Sequence, residues 1–233
     1  MGVQLAGSGS SYINRTSGDI LSYTANYTFM YWAYVISHSQ NTDFYQVRLD
    51  DGNRDLFYTA PDNVTSYIYQ TVGGGTTTDI GDVAFTLPGW HHCAFVVDSG
   101  SMKYYTNGIL RKTMTAGAGW DSRAAAIEMW IGDPGRYLDA AVSYAKAYDA
   151  ALSLVEIQQE MQCGIPVKTQ NLWGFWPFWS SSDLKDYSGN GRDFTGTSVT
   201  TGPNGPVPFS LPRETMLRFA SAGAAARRIF MIS

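Results

Sequence analysis

The stretch from Gly89 to Thr113, GWHHCAFVVDSGSMKYYTNGILRKT, constrains the fold of this chain more than any other segment. Asn107-Gly108 lies between two strand-like runs. Both residue types tolerate the positive φ that a two-residue type I′ hairpin imposes. Ala94 and Val96 follow a period of two up to a turn after Val97. The stretch therefore reads as strand segments, a turn, a short strand, a tight hairpin and a further strand.

The same grammar recurs along the chain. Tyr27 to Ile36 (YTFMYWAYVI) is long, aromatic and β-branched, the composition of a central strand. Phe44 to Leu49 and Asp55 to Thr59 read as a pair around Asp51-Gly52-Asn53. Thr65 to Val72 precedes the turn Gly73-Gly74-Gly75, and Val83 to Leu87 precedes Pro88-Gly89. Ile127 to Ile131 alternates, with Ile127, Met129 and Ile131 on one face and Glu128 and Trp130 on the other. Leu138 to Tyr144 and Asn171 to Phe178 complete the strands. Short strands at even spacing, with Gly-rich turns, predict an all-β antiparallel sandwich or barrel. The 233 residues are 44% hydrophobic and 14% aromatic, enough to bury a sizeable core.

One helix interrupts this pattern. Ser153-Leu154-Val155-Glu156 is a capping box, in which the Ser153 oxygen accepts from the Glu156 amide and the Glu156 carboxylate reaches back. Leu154, Ile157 and Met161 form its apolar face. Gly164 is placed at C′ and Pro166 blocks continuation, giving about three turns. Beyond Thr200, the glycines and prolines Gly202, Pro203, Gly205, Pro206, Pro208 and Pro212 predict an extended arm. The reading divides the chain into a domain over 1–208 and a C-terminal arm over 209–233.

Charge sorts the partners. The net charge is −4, so no overall basic field recruits nucleic acid. From Phe209 to Ser233, four arginines (Arg213, Arg218, Arg227 and Arg228) face Glu214 alone, a net of +3 that leaves −7 on the rest. A basic tail on an acidic body predicts a contact segment for assembly, on the body or on a neighbouring subunit. Cys93 and Cys163 are the two cysteines and are read as two buried free thiols rather than a bridge. No apolar run reaches the length of a membrane span, and the N-terminal residues lack the pattern of a signal peptide.

Five segments in order resemble the laminin-G-like (concanavalin-A-like) jelly-roll superfamily. Trp90-His91-His92-Cys93-Ala94-Phe95 resembles its W-x-H-x-A strand, and Met102 to Gly108 its YvNG hairpin. Ile131-Gly132 with Tyr137 to Val142 resembles a strand motif that in the family carries Gly-x-Ile-Asp. Asp139-Ala140-Ala141 departs from that pattern here, so no acidic role is carried over. Ala151 to Ile157 resembles the aLs-x-x-E-I helix, and Asp186 to Gly191 the D-x-SGN-G segment. Leu5 to Ile13 is read as the opening strand. The resemblance implies a jelly roll of two stacked antiparallel sheets, one of them concave. It also implies a module that binds glycans or proteins, or a structural module, with enzymes as a minority.

Candidate chemistry is sparse. A glycosidase needs two placed carboxylates, and the E-x-D-x-x-E arrangement of the superfamily's enzymes is missing. Glu156 is spent on the helix cap, and the Glu128/Asp133 pair puts Asp133 in a turn. His91 and His92 are adjacent, so on a strand they point to opposite faces. The reading places His92 in the core or in a hydrogen bond and His91 toward solvent. No metal site is assigned. The resemblance allows calcium at the acidic segments Asp50-Asp51-Gly52-Asn53 and Asp79-Ile80-Gly81-Asp82, and no other cofactor. For glycan stacking the candidates are Trp120, Trp130, Tyr137 and Trp179. Trp173 and Trp176 are read as core.

The expectation is a non-catalytic virion protein of a bacteriophage: a decoration or fibre-associated module without membrane insertion, homo-oligomeric or bound to other virion proteins, and able to contact host glycans. A signal-free chain with this fold reaches the outside on a particle. The alternatives are a free carbohydrate-binding module and a glycoside hydrolase.

Overall fold

The computed structural model describes all residues except 1, 8–10, 17–25, 38–41, 51–52, 60–64, 73, 83–84, 116–127, 134–137, 204 and 207–233. The opening stretch folds as the sequence dictates. β8 (Gly89–Asp98), β9 (Ser101–Thr106) and β10 (Ile109–Thr115) form consecutive antiparallel pairs. Asn107 and Gly108 both hold positive φ, 52° and 71°. A side chain at position 108 would also press on Gln158, whose Cγ lies 3.0 Å from a Cβ built there.

These strands begin an eight-stranded sheet. Its order runs from β10, β9 and β8 through β3 (Tyr27–Ser37) and β12 (Asp139–Tyr148) to β1 (Gly2–Ala6) and β15 (Val199–Gly202), with β13 (Leu172–Trp176) also paired to β12. β3 is interior, as its composition requires. The second sheet has seven strands: β14 (Thr195–Thr197), β2 (Tyr12–Thr16), β11 (Glu128–Ile131), β4 (Thr42–Asp50), β5 (Asn53–Thr59), β6 (Thr65–Val72) and β7 (Gly75–Asp82). The two sheets stack as a jelly-roll sandwich.

Between them lies an aromatic core. The rings of Phe29 and Tyr45 stack at 4.8 Å, Tyr45 and Phe95 at 4.8 Å, and Phe57 and Tyr104 at 3.8 Å. Each such ring removes on the order of 150–250 Å² from water. One buried carboxylate sits among them. Asp55 accepts from the Tyr27 hydroxyl at 3.0 Å and from Gln70 Nε2 at 2.9 Å, so its burial is compensated. Trp173 and Trp176 are in this core. Both cysteines are free thiols, but only Cys93 is buried; Cys163, in the turn after the helix, is partly exposed.

β8 shows the period of two directly. Cys93, Phe95 and Val97 enter the core between the sheets, while Ala94 and Val96 face the other way. There they meet Met30, Tyr105, Tyr148, Leu152 and Ile157, and this second cluster seats the helix α1 (Leu154–Met161) on the outer face of the eight-stranded sheet. The capping box forms: Ser153 N donates to Glu156 Oε2 at 2.8 Å and Glu156 N donates to Ser153 Oγ at 3.4 Å. A hydrogen bond from the Lys168 ammonium and the Ser153 amide hold the Glu156 carboxyl down, at about 2.

The helix is anchored by a buried ion pair. Lys146 Nζ, on β12, donates to Glu160 Oε2 at 2.7 Å and to the carbonyls of Glu160, Cys163 and Ile165 at 2.9, 2.8 and 3.0 Å. Glu160 accepts in turn from the amides of Val167 and Lys168 at 2.9 and 2.6 Å. This cage explains why the helix does not end at Gly164. Its C-cap is Gln162 in right-handed conformation. The carbonyls of the following turn are drawn onto the ammonium instead of being closed by a left-handed glycine. The helix is eight residues, shorter than three turns.

Other expectations shift. Leu5 to Ile13 is not one strand: β1 and β2 lie in different sheets, and the chain crosses between them after Gly7, which has φ 61°. Asp79 to Asp82 is not a loop but the end of β7. Phe85 to Leu87, the described part of the expected Val83 to Leu87 strand, is not strand. The Gly/Pro-rich segment expected from Thr200 begins in strand, because β15 pairs with β1. Pro203, Gly205 and Pro206 follow it outside any strand, and Pro208, Pro212 and the arm over 209–233 lie outside the described residues.

The D-x-SGN-G segment is a built loop. Asp186 Oδ1 accepts from the amides of Phe175 and Ser188, and Oδ2 from the Ser188 hydroxyl and the Arg192 amide, all at 2.8 to 3.0 Å. Asn190 Nδ2 donates to the carbonyls of Leu172 and Trp173. The motif fastens a turn to β13.

Candidate functional site

The outer face of the seven-stranded sheet carries a polar and aromatic group assembled by strand register. On β2, β11 and β4, the side chains of Ile13, Met129, Ile131 and Val47 are fully buried in the core. Alternation then turns Asn14, Glu128, Trp130, Gln46 and Arg48 outward. Trp130 pairs with Asn14 on one side and Gln46 on the other, and Glu128 pairs with Arg48.

These residues interlock. Trp130 Nε1 donates to Glu128 Oε2 at 3.1 Å, and the Arg48 guanidinium forms an ion pair with the same oxygen. Arg48 also lies over the Trp130 ring, 5.2 Å from its centroid, a cation–π arrangement. The Tyr12 ring packs on Trp130 at 4.9 Å and 54°. Trp130 is therefore only 6% exposed, and the half-buried Tyr12 is the aromatic that presents surface. Beside them, Gln46 Nε2 donates to Asp133 Oδ2 at 3.2 Å. Gln46 is fully buried, and its Oε1 has no hydrogen-bond partner among the described residues. An unmet buried acceptor costs about 1–3 kcal/mol.

Of the aromatic candidates from the sequence, Trp130 is at the centre of this group. Trp179 lies after β13, is 7% exposed and packs edge-on against Tyr187 at 4.7 Å. Trp120 and Tyr137 lie outside the described residues, as do Arg213, Arg218, Arg227 and Arg228. Of the acidic segments proposed for calcium, Asp50 ends β4, Asn53 begins β5, and Asp79 to Asp82 belongs to β7. Among the described residues, no group of three or more His, Cys, Asp or Glu side chains is arranged to hold a metal ion.

The histidines do face opposite ways, but His91 does not face solvent. Its Nε2 is 3.0 Å from the Thr86 carbonyl, its ring packs on Phe85 at 4.7 Å, and burial lowers its pKa. His92 lies edge-on to Trp32. Burial first, and the Lys146 charge second, push its pKa down to about 3, so it stays neutral.

Tyr12, Gln46 and Arg48 were not evident from the sequence. Polar residues on strands have no local signature, and only the register of β2, β11 and β4 brings them together. The alternation along β4 was the available signal.

Similarities to known proteins agree with this architecture. No functionally curated protein matches the chain. Among solved structures, the native heptameric SAP-like pentraxin from Limulus polyphemus superposes with a TM-score of 0.61 at 14% identity, covering 87% of this chain and 94% of that one. The CBM40 of the Ruminococcus gnavus IT-sialidase, bound to α2,3 sialyllactose, gives 0.51 at 14% identity, over 68% and 95%. The full-length tailspike protein 2 of Escherichia coli O157:H7 bacteriophage CAB120 gives 0.56 at 12% identity, over 76% of this chain and 26% of that chain. At such identities the likeness is one of fold. A family model described as the concanavalin A-like lectin/glucanases superfamily matches residues 7–158, most of the sandwich and its helix. The chain belongs to the concanavalin A-like lectin/glucanases superfamily.

Proposed function

We propose that this chain is a non-catalytic glycan-recognition module carried on a bacteriophage particle, as a decoration or fibre-associated protein. The observation that carries the glycan reading is the half-buried Tyr12 ring, packed on Trp130 and flanked by the polar side chains of Asn14, Glu128 and Arg48 on the outer face of the sheet. A sugar offers hydroxyls to such polar groups and apolar C–H faces to an aromatic ring, and both are present in one patch.

The non-catalytic reading rests on how the carboxylates are used. Hydrolysis of a glycosidic bond requires one carboxyl to deliver a proton and another to attack or to activate water. Glu128 is tied to a guanidinium and an indole N–H, and Asp133 to an amide. Glu156 caps a helix and Glu160 is locked on Lys146. The particle reading is supported by the likeness to a phage tailspike and by the arginine-bearing segment on an acidic body. Self-association accords with the oligomeric pentraxin likeness.

Two experiments separate the parts of this proposal. Mass spectrometry of purified virions is expected to find the chain, and its absence there removes the particle role. Incubation with the glycans it binds is expected to return them intact, and release of shorter products refutes the non-catalytic reading.

A further inference from the structure

The side chains next to Tyr12 on the outer face of the seven-stranded sheet are uncharged. Tyr12 and Asn14 on β2 stand opposite Thr197 and Thr195 on β14. Between the two threonines, a Cβ built on Gly196 would lie 2.6 Å from Val199 and 2.9 Å from Leu184, both packed into the core. Gly196 therefore faces inward, and Thr195 and Thr197 turn outward with Tyr12 and Asn14. Both threonines are exposed. Opposed positions on antiparallel strands bring side chains to about 4.5–5.5 Å, so a sugar lying on the Tyr12 ring reaches Thr197 and Asn14. Thr195 Oγ1 donates to Asn14 Oδ1 at 2.8 Å and steadies the amide. Asn14 Nδ2 is 3.5 Å from Thr16 Oγ1, at the limit of a hydrogen bond, and keeps an N–H to give to a ligand hydroxyl.

Positive charge on this face is committed within the protein. The strands β14, β2, β11 and β4 carry two cations, Arg15 and Arg48. Arg15 lies between Asn14 and Thr16 and so turns away from Tyr12, and its Nη1 donates to the Asp193 carbonyl at 3.2 Å. Arg48 is joined to Glu128 and lies over Trp130. Arg54, opposite Arg48 on β5, is engaged as well. A guanidinium recognises a carboxylate or a sulfate by presenting its fork of N–H donors. Here Arg48 already meets Glu128, whose negative charge would also face an incoming anion. An acidic sugar at this site gives up water around its charge with no cation in return, whereas a neutral sugar exchanges one set of hydroxyl hydrogen bonds for another.

We propose that this patch selects neutral glycans, whose hydroxyls meet Thr197 and Asn14 over the Tyr12 ring, and that the Glu128–Arg48 pair discriminates against carboxylated and sulfated ones. Specificity of this kind is a difference of affinities, built by leaving the charged competitor without a partner. The inference rests on the glycan reading of this face and adds the chemical class of the sugar.

An array of paired glycans tests it on the unaltered full chain, each pair sharing a neutral core and one member carrying a carboxylate or a sulfate on the terminal sugar. The neutral member is expected to bind at least about fivefold more tightly, a difference of about 1 kcal/mol. Its affinity is expected to stay the same between about 0.05 and about 0.5 M salt, because no ion pair to the ligand is there to be screened. Glu128→Gln keeps an acceptor for Trp130 Nε1 and releases Arg48 from its counter-charge. That variant is expected to raise binding of the acidic member relative to the neutral one by about fivefold or more. Acidic members bound as tightly as neutral ones by the unaltered chain would overturn the proposal and leave glycan recognition standing. A folded Glu128→Gln variant with an unchanged preference would overturn it too. Binding of no glycan at all removes both readings.

Discussion

Replacing Lys146 by methionine tests the anchoring of the helix. The substitution keeps most of the side-chain volume and removes the ammonium. It leaves the Glu160 carboxylate, whose side chain is 1% exposed, with the Val167 and Lys168 amides but no counter-charge. It also strips three carbonyls, those of Glu160, Cys163 and Ile165, of a shared donor. Breaking a buried pair from one side costs about 3–5 kcal/mol. That is a fifth or more of the stability of a typical domain, about 5–15 kcal/mol. Most of the loss comes from the stranded charge, so Glu160→Gln in the Lys146→Met background is expected to recover at least about 2 kcal/mol. Glutamine retains an acceptor for the Val167 and Lys168 amides. Urea unfolding followed by tryptophan fluorescence gives both values, and hydrogen exchange over 154–168 reports whether the helix detaches first. A cost under about 1 kcal/mol for Lys146→Met would refute the reasoning, and so would a double variant no more stable than the single one.

Three further outcomes follow from particular contacts. His92 has a folded pKa lowered from 6.5 to about 3, so between those values the unfolded chain binds a proton that the native one, with Lys146 facing the ring and Glu160 behind it, does not. Its contribution to stability is present above pH 6.5 and is lost as pH falls, by about 1.4 kcal/mol per pH unit. His92→Gln is expected to remove that slope from pH-dependent unfolding, and an unchanged slope contradicts the assignment. Asp186→Ala removes the acceptor of four hydrogen bonds and is expected to cost about 2–3 kcal/mol in thermal unfolding, whereas Lys185→Ala, at an exposed neighbour, is expected to cost under about 0.5. Gly174→Ala places a methyl group inside the ring of the fully buried Trp176, and a loss of about 1–3 kcal/mol with a shifted tryptophan emission is expected. A neutral result there would show that β13 can move aside.

What the sequence reveals depends on whether a feature is local. The Asn107-Gly108 hairpin and the Ser153/Glu156 cap are legible because a few adjacent residues determine them through φ preference and a reciprocal hydrogen bond. The faces of β11 are legible from alternation alone. β7 was missed because Gly75 to Asp82 is polar and Gly-rich, and its strand character comes from pairing with β6 rather than from its own composition. The end of α1 was misplaced because Lys146, fourteen residues before Glu160, recruits the carbonyls that Gly164 would otherwise have closed. His91 was misread because the Thr86 carbonyl and the Phe85 ring reach it from a segment that reads as a strand but whose described residues, 85–87, lie outside the sheets. The Trp130 group follows the same rule: one of its members stood out as an aromatic candidate, while Tyr12, Gln46 and Arg48 enter it only through cross-strand register.

The central claim is that the outer face of the seven-stranded sheet reads glycans. Glycan-array binding of the full chain, compared with Asn14→Ala and Tyr12→Ala, tests it most directly. Asn14→Ala removes a partly exposed polar group beside Trp130, and Tyr12→Ala removes the ring that presents surface. The account predicts that the unaltered chain binds at least one glycan and that each variant binds it about tenfold or more weakly, the effect of losing one buried contact of about 1.4 kcal/mol, with unfolding midpoints that still indicate a folded domain. A chain that binds no glycan, or variants that bind as well as the original, would contradict it.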